Sequence, residues 1–146
     1  MPRRIYIKVN CHVCSGCLSC MTTCSMVNEL YASLVAARVQ VALSPFGGTH
    51  KINICQQCAK AACLDACPEG AITRHPEGYL VIDYDRCTSC RACVDACPFD
   101  TIFWNPISEQ VIKCEMCHGN PQCVQACPTD ALVIQIVPTK KAKKSK

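Results

Sequence analysis

The sequence predicts an α+β fold built from one small unit used repeatedly: a cysteine motif, a short helix, then a short strand or β-hairpin. Three observations predict it. Sixteen of the seventeen cysteines in this 146-residue chain fall into four quartets. Short alternating stretches follow the quartets, as in Ala71-Ile72-Thr73 and Ala131-Leu132-Val133-Ile134. Aromatic residues make up only 5% of the chain, too few for an ordinary core, so the fold needs staples of another kind.

The two central quartets are the clearest. CQQCAKAACLDACP (residues 55–68) contains Cys55, Cys58, Cys63 and Cys67. CTSCRACVDACP (residues 87–98) contains Cys87, Cys90, Cys93 and Cys97. An earlier quartet is Cys14, Cys17, Cys20 and Cys24. A later one is Cys114, Cys117, Cys123 and Cys127, closed like the central pair by a proline. Three cysteines two residues apart, then three residues and Cys-Pro, is the bacterial ferredoxin run for [4Fe–4S] clusters. Such clusters are soft and take thiolates. The triplet loop is short enough to set three sulfurs around one cube. The last cysteine, one helical turn on, points across to the neighbouring cluster. Proline then ends the turn, because it lacks an N–H and its ring fixes φ.

This rule predicts four [4Fe–4S] clusters. Cys55, Cys58, Cys63 and Cys97 hold one, and Cys87, Cys90, Cys93 and Cys67 the second. Cys14, Cys17, Cys20 and Cys127 hold the third, and Cys114, Cys117, Cys123 and Cys24 the fourth. The exchange requires the chain ends to meet, with strand 5–9 near strand 131–136. The fold is then a duplicated bacterial-ferredoxin-like fold with a pseudo-two-fold axis. Its outer half is 1–54 plus 105–137, its inner half 55–104, and 138–146 is a lysine-rich tail.

Other uses of the cysteines fit less well. An odd count, and cysteines only two residues apart, argue against a disulfide framework. Structural zinc takes two Cys-x2-Cys knuckles a dozen or more residues apart, not triplets. The formal charge of +4 is no nucleic-acid signal. Each cluster with its thiolates adds roughly −2 or −3, which turns the loaded protein acidic. Arg3-Arg4 resembles an export signal, but no apolar stretch follows. No run approaches transmembrane length. A cytoplasmic setting is expected.

The rest of the chain supports the motifs. Motif one lacks the closing proline, so its helix is expected to continue from Cys20 toward Leu30. Val39, Val41 and Leu43, then Ile52 and Ile54, predict a hairpin turning at Pro45–Gly48. Hairpins are also expected around His75–Gly78 and Asn105-Pro106. Gly16 and other small residues admit close approach of the knuckle backbone. Cys11 is the cysteine left over, read as a small apolar residue or an alternative ligand. His12, His50, His75 and His118 read as surface residues. Lys113, Arg86 and Arg91 are either tuning cations or solvated charges. Met26, Leu30 and Leu34 are expected to cover a cluster or face a partner.

From CSGCLSC, CQQC, the full run at 87–98 and KCEMCHGNPQCVQACP, the chain resembles the electron-transfer subunits of molybdenum and tungsten oxidoreductases. These include the iron–sulfur subunits of dimethyl sulfoxide reductase and formate dehydrogenase, and the formate hydrogenlyase small subunit. The five-residue gap between Cys117 and Cys123 is similar to the compact small subunits of tungsten aldehyde oxidoreductases and benzoyl-CoA reductases. The resemblance covers about residues 5–136. Ala62 departs from it, standing where a proline is common. The resemblance implies a relay without catalytic residues, serving a larger aldehyde- or formate-type catalytic subunit. A second redox protein or further copies of the chain are the other implied partners. A free-standing polyferredoxin is the alternative.

Overall fold

The computed structural model describes residues 3–139. In chain order the elements are β1 (Arg3–Val9), α1 (Ser19–Glu29), β2 (Val39–Ala42), β3 (Lys51–Ile54) and α2 (Ala62–Ala66). Then come β4 (Ile72–Arg74), β5 (Leu80–Ile82), α3 (Ala92–Ala96), β6 (Ile102–Asn105), β7 (Gln110–Lys113), α4 (Gln122–Ala126) and β8 (Leu132–Pro138). Short 3-10 turns cover Cys11–Val13 and Met116–Gly119. The strands form antiparallel pairs: β1–β8, β2–β3, β4–β5 and β6–β7. The expected α+β architecture of short hairpins and short helices is present.

Three helices stop for one reason. α2, α3 and α4 each have five residues and end at Cys67, Cys97 and Cys127. Each of these cysteines is held extended, with ψ of 114° or 115°. A residue before proline is kept out of the helical region by its neighbour's ring. Cys24 has no such neighbour, and α1 runs through it for eleven residues, as its sequence predicts.

The chain ends meet. β1 pairs with β8 from Arg3 opposite Pro138 to Val9 opposite Leu132. The strands are longer than the pattern at 5–9 and 131–136 indicates. Pro138, read as the start of the tail, closes the ladder, where a missing N–H at a strand end costs no central bond. Residues 140–146 of that tail lie outside the described residues. Ile7 is fully buried, and Ile5 and Val9 pack on the same core. Arg4 belongs to this strand: its Nε donates to the Gln57 carbonyl at 2.9 Å, and its guanidinium sits 4.3 Å over the Tyr6 ring.

Helix α1 lies against α4, and α2 against α3. Two apolar cores result. The larger gathers Ile7, Met21, Val39, Ile54, Met116 and Leu132 with five buried cysteines, Cys55 among them. The smaller gathers Ile72, Leu80, Ile82, Ile102 and Val111 with Cys63 and Cys93. Hairpin β6–β7 straddles residues 104 and 105, and its Val111 packs in the smaller core.

Gly78, at φ +100°, sits where the β4–β5 turn meets β1, and a Cβ there would be driven into the Arg3 carbonyl. Its own carbonyl accepts from Ile5 N–H at 3.5 Å. Gly78→Ala is expected to cost about 2 kcal/mol, an overpacking penalty against backbone that cannot rotate away. An anaerobic denaturation curve and hydrogen exchange at Ile5 check this; an unchanged midpoint with a protected Ile5 contradicts it.

Candidate metal centres

Each quartet is shaped by backbone conformation before side chains enter. The second residue after the first cysteine is left-handed in all four motifs: Gly16 (φ 72°), Gln57 (φ 49°), Ser89 (φ 55°) and Met116 (φ 56°). For a non-glycine residue this costs roughly 1–2 kcal/mol. Alternating right- and left-handed residues turn successive N–H groups to one side, a concavity that takes anions and iron–sulfur groups. One such group, Gln57 N–H, donates to Cys55 Sγ at 3.4 Å.

The loops after Cys-Pro repeat as closely. Their left-handed residues are Gly70 (φ 57°), Asp100 (φ 52°) and Asp130 (φ 54°). The next residue turns back onto the sulfur. Ala71 N–H donates to Cys67 Sγ and Ala131 N–H to Cys127 Sγ, both at 3.3 Å. The Thr101 hydroxyl lies 3.4 Å from Cys97 Sγ. Cys24, inside a helix, has no such loop. Arg38 N–H reaches it from the residue before β2, at 3.3 Å, with Asn28 Nδ2 at 3.6 Å.

Cysteines from separate motifs converge. Cys14, Cys17, Cys20 and Cys127 line one recess, together with Val41, Ile52 and Leu132. Cys24, Cys114, Cys117 and Cys123 line a second with Arg38 and Ile54. Cys67, Cys87, Cys90 and Cys93 line a third with Ile72, Ile82 and Val111. Cys58 and Cys63 each feel the charge of Cys55 and of Cys97, which brings the last four together. Gln57, in the Cys55 knuckle, donates from Nε2 to the Cys114 carbonyl at 2.7 Å, and Cys55 and Cys114 share one core, so two groups of four adjoin. None of the seventeen cysteines is in a disulfide. Cys11 is half-buried against the larger core.

The thiols divide by environment. Burial pushes Cys20 and Cys63 up to about 11 and Cys114 to about 12, and raises Cys123, with neighbouring thiols adding to the effect. Burial also presses on Cys67, Cys97 and Cys127, but hydrogen bonds outweigh it. Backbone N–H groups of Ala71 and Glu69 surround Cys67, Thr101 serves Cys97, and N–H groups of Thr129 and Ala131 serve Cys127. All three stand below the usual thiol value. The Ser19 hydroxyl, then its N–H and the Ser15 hydroxyl, lower Cys17.

Two residues unmarked by any motif complete the site. Arg38 is buried, with ion pairs to Glu29 at 3.3 Å and Glu115 at 3.4 Å. Its Nε has no partner among the described residues, and Arg38 lines the recess of Cys24. A buried donor left unpaired costs about 1–3 kcal/mol unless a bound group accepts from it. Gln57 is fully buried in its knuckle. A charged residue inside the apolar run Leu34–Val41 was the available signal for Arg38; Gln57 carried none.

The histidines depart from a uniform surface reading. His50 Nδ1 accepts Ser44 N–H at 3.0 Å, and a Cβ at Gly16 would come within 2.8 Å of its Nε2. His75 stacks on the buried Tyr79 ring at 4.5 Å. His12 and His118 are exposed. Of the three cations flanking motifs, Lys113 is fully buried, whereas Arg86 and Arg91 are exposed. Arg91 lies 3.8 Å over the Trp104 ring.

Residues 49–137 match the model of the 4Fe-4S dicluster domain. The chain belongs to that family. Soft thiolates in fours, recesses lined by cysteines of different motifs, N–H groups aimed at sulfur and the unpaired Arg38 Nε fit several [4Fe–4S] clusters. Similar proteins include the aliphatic sulfonate oxidoreductase polyferredoxin-like subunit of Pyrococcus furiosus, 35% identical over 62% of this chain and 52% of its own. The thiosulfate reductase electron transfer subunit of Salmonella typhi is 33% identical over 53% of this chain and 43% of its own. This chain thus spans about half the length of these curated relatives. In fold it is similar to a chain of the active site complex BamBC of benzoyl coenzyme A reductase. There the TM-score is 0.61 at 22% identity, covering 99% of this chain and 83% of that one.

In iron-free protein at pH 8, alkylation is expected at Cys17, Cys67, Cys97 and Cys127 before Cys20, Cys63, Cys114 and Cys123, since the thiolate is the nucleophile. The gap to Cys20 and Cys63 should close as pH nears 11, where these two ionise, while Cys114 and Cys123 still lag. Peptide mass spectrometry reads both; equal rates at pH 8 contradict the assignment.

Proposed function

We propose that the chain is an electron-relay subunit whose sixteen motif cysteines hold four [4Fe–4S] clusters in single file. The carrying observation is that cysteines from different motifs share recesses, while Cys55 and Cys114 adjoin. The ligand sets are those read from the sequence, and the file then runs from one outer set through the Cys114 and Cys55 sets to the set of Cys87. On this reading the chain divides into the outer half, 1–54 plus 105–137, and the inner half, 55–104.

A [4Fe–4S] cluster supplies reversible one-electron carriage, with a potential set by charge, hydrogen bonds to sulfur and exposure. The chain supplies the rest. Its thiolates fix position, and N–H groups of Arg38, Ala71 and Ala131 stabilise charge on sulfur. Side chains such as Ile52, Ile82 and Val111 keep water from the recess walls. Four thiolates at each set leave no open coordination position for a substrate.

The partner on this reading is a larger molybdenum or tungsten oxidoreductase subunit of the aldehyde or formate type, with a second redox protein at the other end. The names of the relatives from Pyrococcus furiosus and Salmonella typhi support a subunit role. Met26 and Val27, on the helix that carries Cys24, and Leu30, Leu34 and Val35, which follow it in the chain, are exposed, Leu30 at 90%. An apolar face of this kind suits docking. No helix among the described residues is long and apolar enough to cross a membrane; a cytoplasmic complex is proposed.

Anaerobic purification from the native source tests the reading, with iron, sulfide, molybdenum and tungsten measured in one fraction. The expected result is about sixteen irons per chain, with molybdenum or tungsten in a co-eluting larger subunit. The same iron with no companion points to a diffusing polyferredoxin. Zinc, or few irons without labile sulfide, overturns the cluster assignment.

A further inference from the structure

The sets of Cys55 and Cys114, the central pair of the proposed file, are linked by a buried polar bridge that no ligand role requires. Lys113 and Gln57 are both fully buried. Lys113 Nζ donates to the Leu80 carbonyl at 2.6 Å and to the Cys114 carbonyl at 2.8 Å. Gln57 Nε2 donates to the same Cys114 carbonyl at 2.7 Å, and its Oε1 accepts Leu80 N–H at 2.7 Å. Four bonds thus tie both polar atoms of Leu80 to the Cys114 carbonyl.

Position makes this bridge more than a brace. Gln57 lies in the knuckle between Cys55 and Cys58, and Lys113 immediately precedes Cys114. One end of the bridge is therefore in the set of Cys55, and the other in the set of Cys114. Lys113 Nζ and Gln57 Nε2 meet at one oxygen, the Cys114 carbonyl, so the ammonium lies against both sets. An isolated buried ammonium is strongly disfavoured and needs an anionic environment beyond two carbonyl oxygens. Anionic cofactors held by the two sets would supply it.

We propose that Lys113 is a shared positioning charge for electron transfer, raising the reduction potentials of the two central clusters together. The inference rests on the four-cluster reading above. Adding an electron to either central cluster adds negative charge beside the ammonium, which stabilises the reduced form of both. One electron leaves one cluster as its neighbour gains it, so a charge acting on both sides holds the two levels close. Gln57 orients the ammonium, since both donors share the Cys114 oxygen, and offers a hydrogen-bonded route between the sets. Arg38 cannot substitute: its guanidinium is compensated by Glu29 and Glu115, whereas among the described residues no carboxylate is within ion-pairing reach of Lys113.

The test is an EPR-monitored redox titration of the full protein with Lys113→Gln, which removes the charge and keeps a donor, and Lys113→Arg, which keeps the charge. In Lys113→Gln, two of the four potentials are expected to fall and two to stay. The reduced-to-oxidised ratio of the affected pair should drop about tenfold at fixed solution potential, which is 59 mV for a one-electron couple. Lys113→Arg should stay near the unaltered values. No shift, a single shifted potential, four equal shifts, or the same shift in Lys113→Arg would each overturn the proposal. Should Lys113→Gln fail to load, Gln57→Glu decides, because a carboxylate beside the ammonium cancels its charge and should lower the same two potentials. Unchanged potentials in a loaded Gln57→Glu protein count against it. Iron and sulfide assays of the unaltered protein keep this separate from the four-cluster reading: fewer than four clusters there fails that reading, while four clusters with unmoved potentials fails this inference alone.

Discussion

Cys14 and Cys127 stand near opposite ends of the chain and line one recess. The same exchange joins Cys24 to Cys114, and Cys67 to Cys87. A motif of this length brings three sulfurs together by local turning alone. Its fourth cysteine leaves on a helix that carries it away, so the set is completed from elsewhere. That geometric constraint draws β1 onto β8, α1 onto α4 and α2 onto α3. The apolar cores are small because they need only close the gaps between recesses.

The backbone repeats more faithfully than the side chains. Gly16, Gln57, Ser89 and Met116 share no chemistry, yet all four are left-handed at the same place in their knuckles. Gly70, Asp100 and Asp130 do the same in the loops after Cys-Pro. Strain accepted at these positions turns N–H groups toward sulfur, which lowers the cost of concentrating thiolates in a buried site. Where motif one omits the proline, the helix continues and the Arg38 N–H replaces the missing loop donor. One function, a donor for the last sulfur, is thus met by two unrelated pieces of backbone.

Charge is distributed with a similar division of labour. Exposed arginines, Arg86 and Arg91, flank the outer face of one set, where solvent weakens their influence. Arg38 and Lys113 are buried, and burial magnifies what they do. Arg38 is balanced by two glutamates and acts mainly through its N–H groups. Among the described residues Lys113 has only carbonyl partners, one in the β4–β5 hairpin and one at Cys114.

The fold class, all four hairpin or terminal strand pairings and the continuation of α1 were legible from the sequence. These follow from rules that act over a few residues: spacing sets what a loop can enclose, proline stops a helix, and alternation marks a strand. Strand ends were less legible, because Arg3 and Pro138 are held by pairing rather than by propensity. Gln57, Arg38 and the burial of Lys113 belong to tertiary structure. Nothing near Gln57 distinguishes it from a solvent-facing glutamine until Leu80 and Cys114 arrive on either side. Lys113 reads as an ordinary charge before a cysteine until β5 covers it. A polar group's role depends on what surrounds it once water is gone, and only the assembled chain decides that.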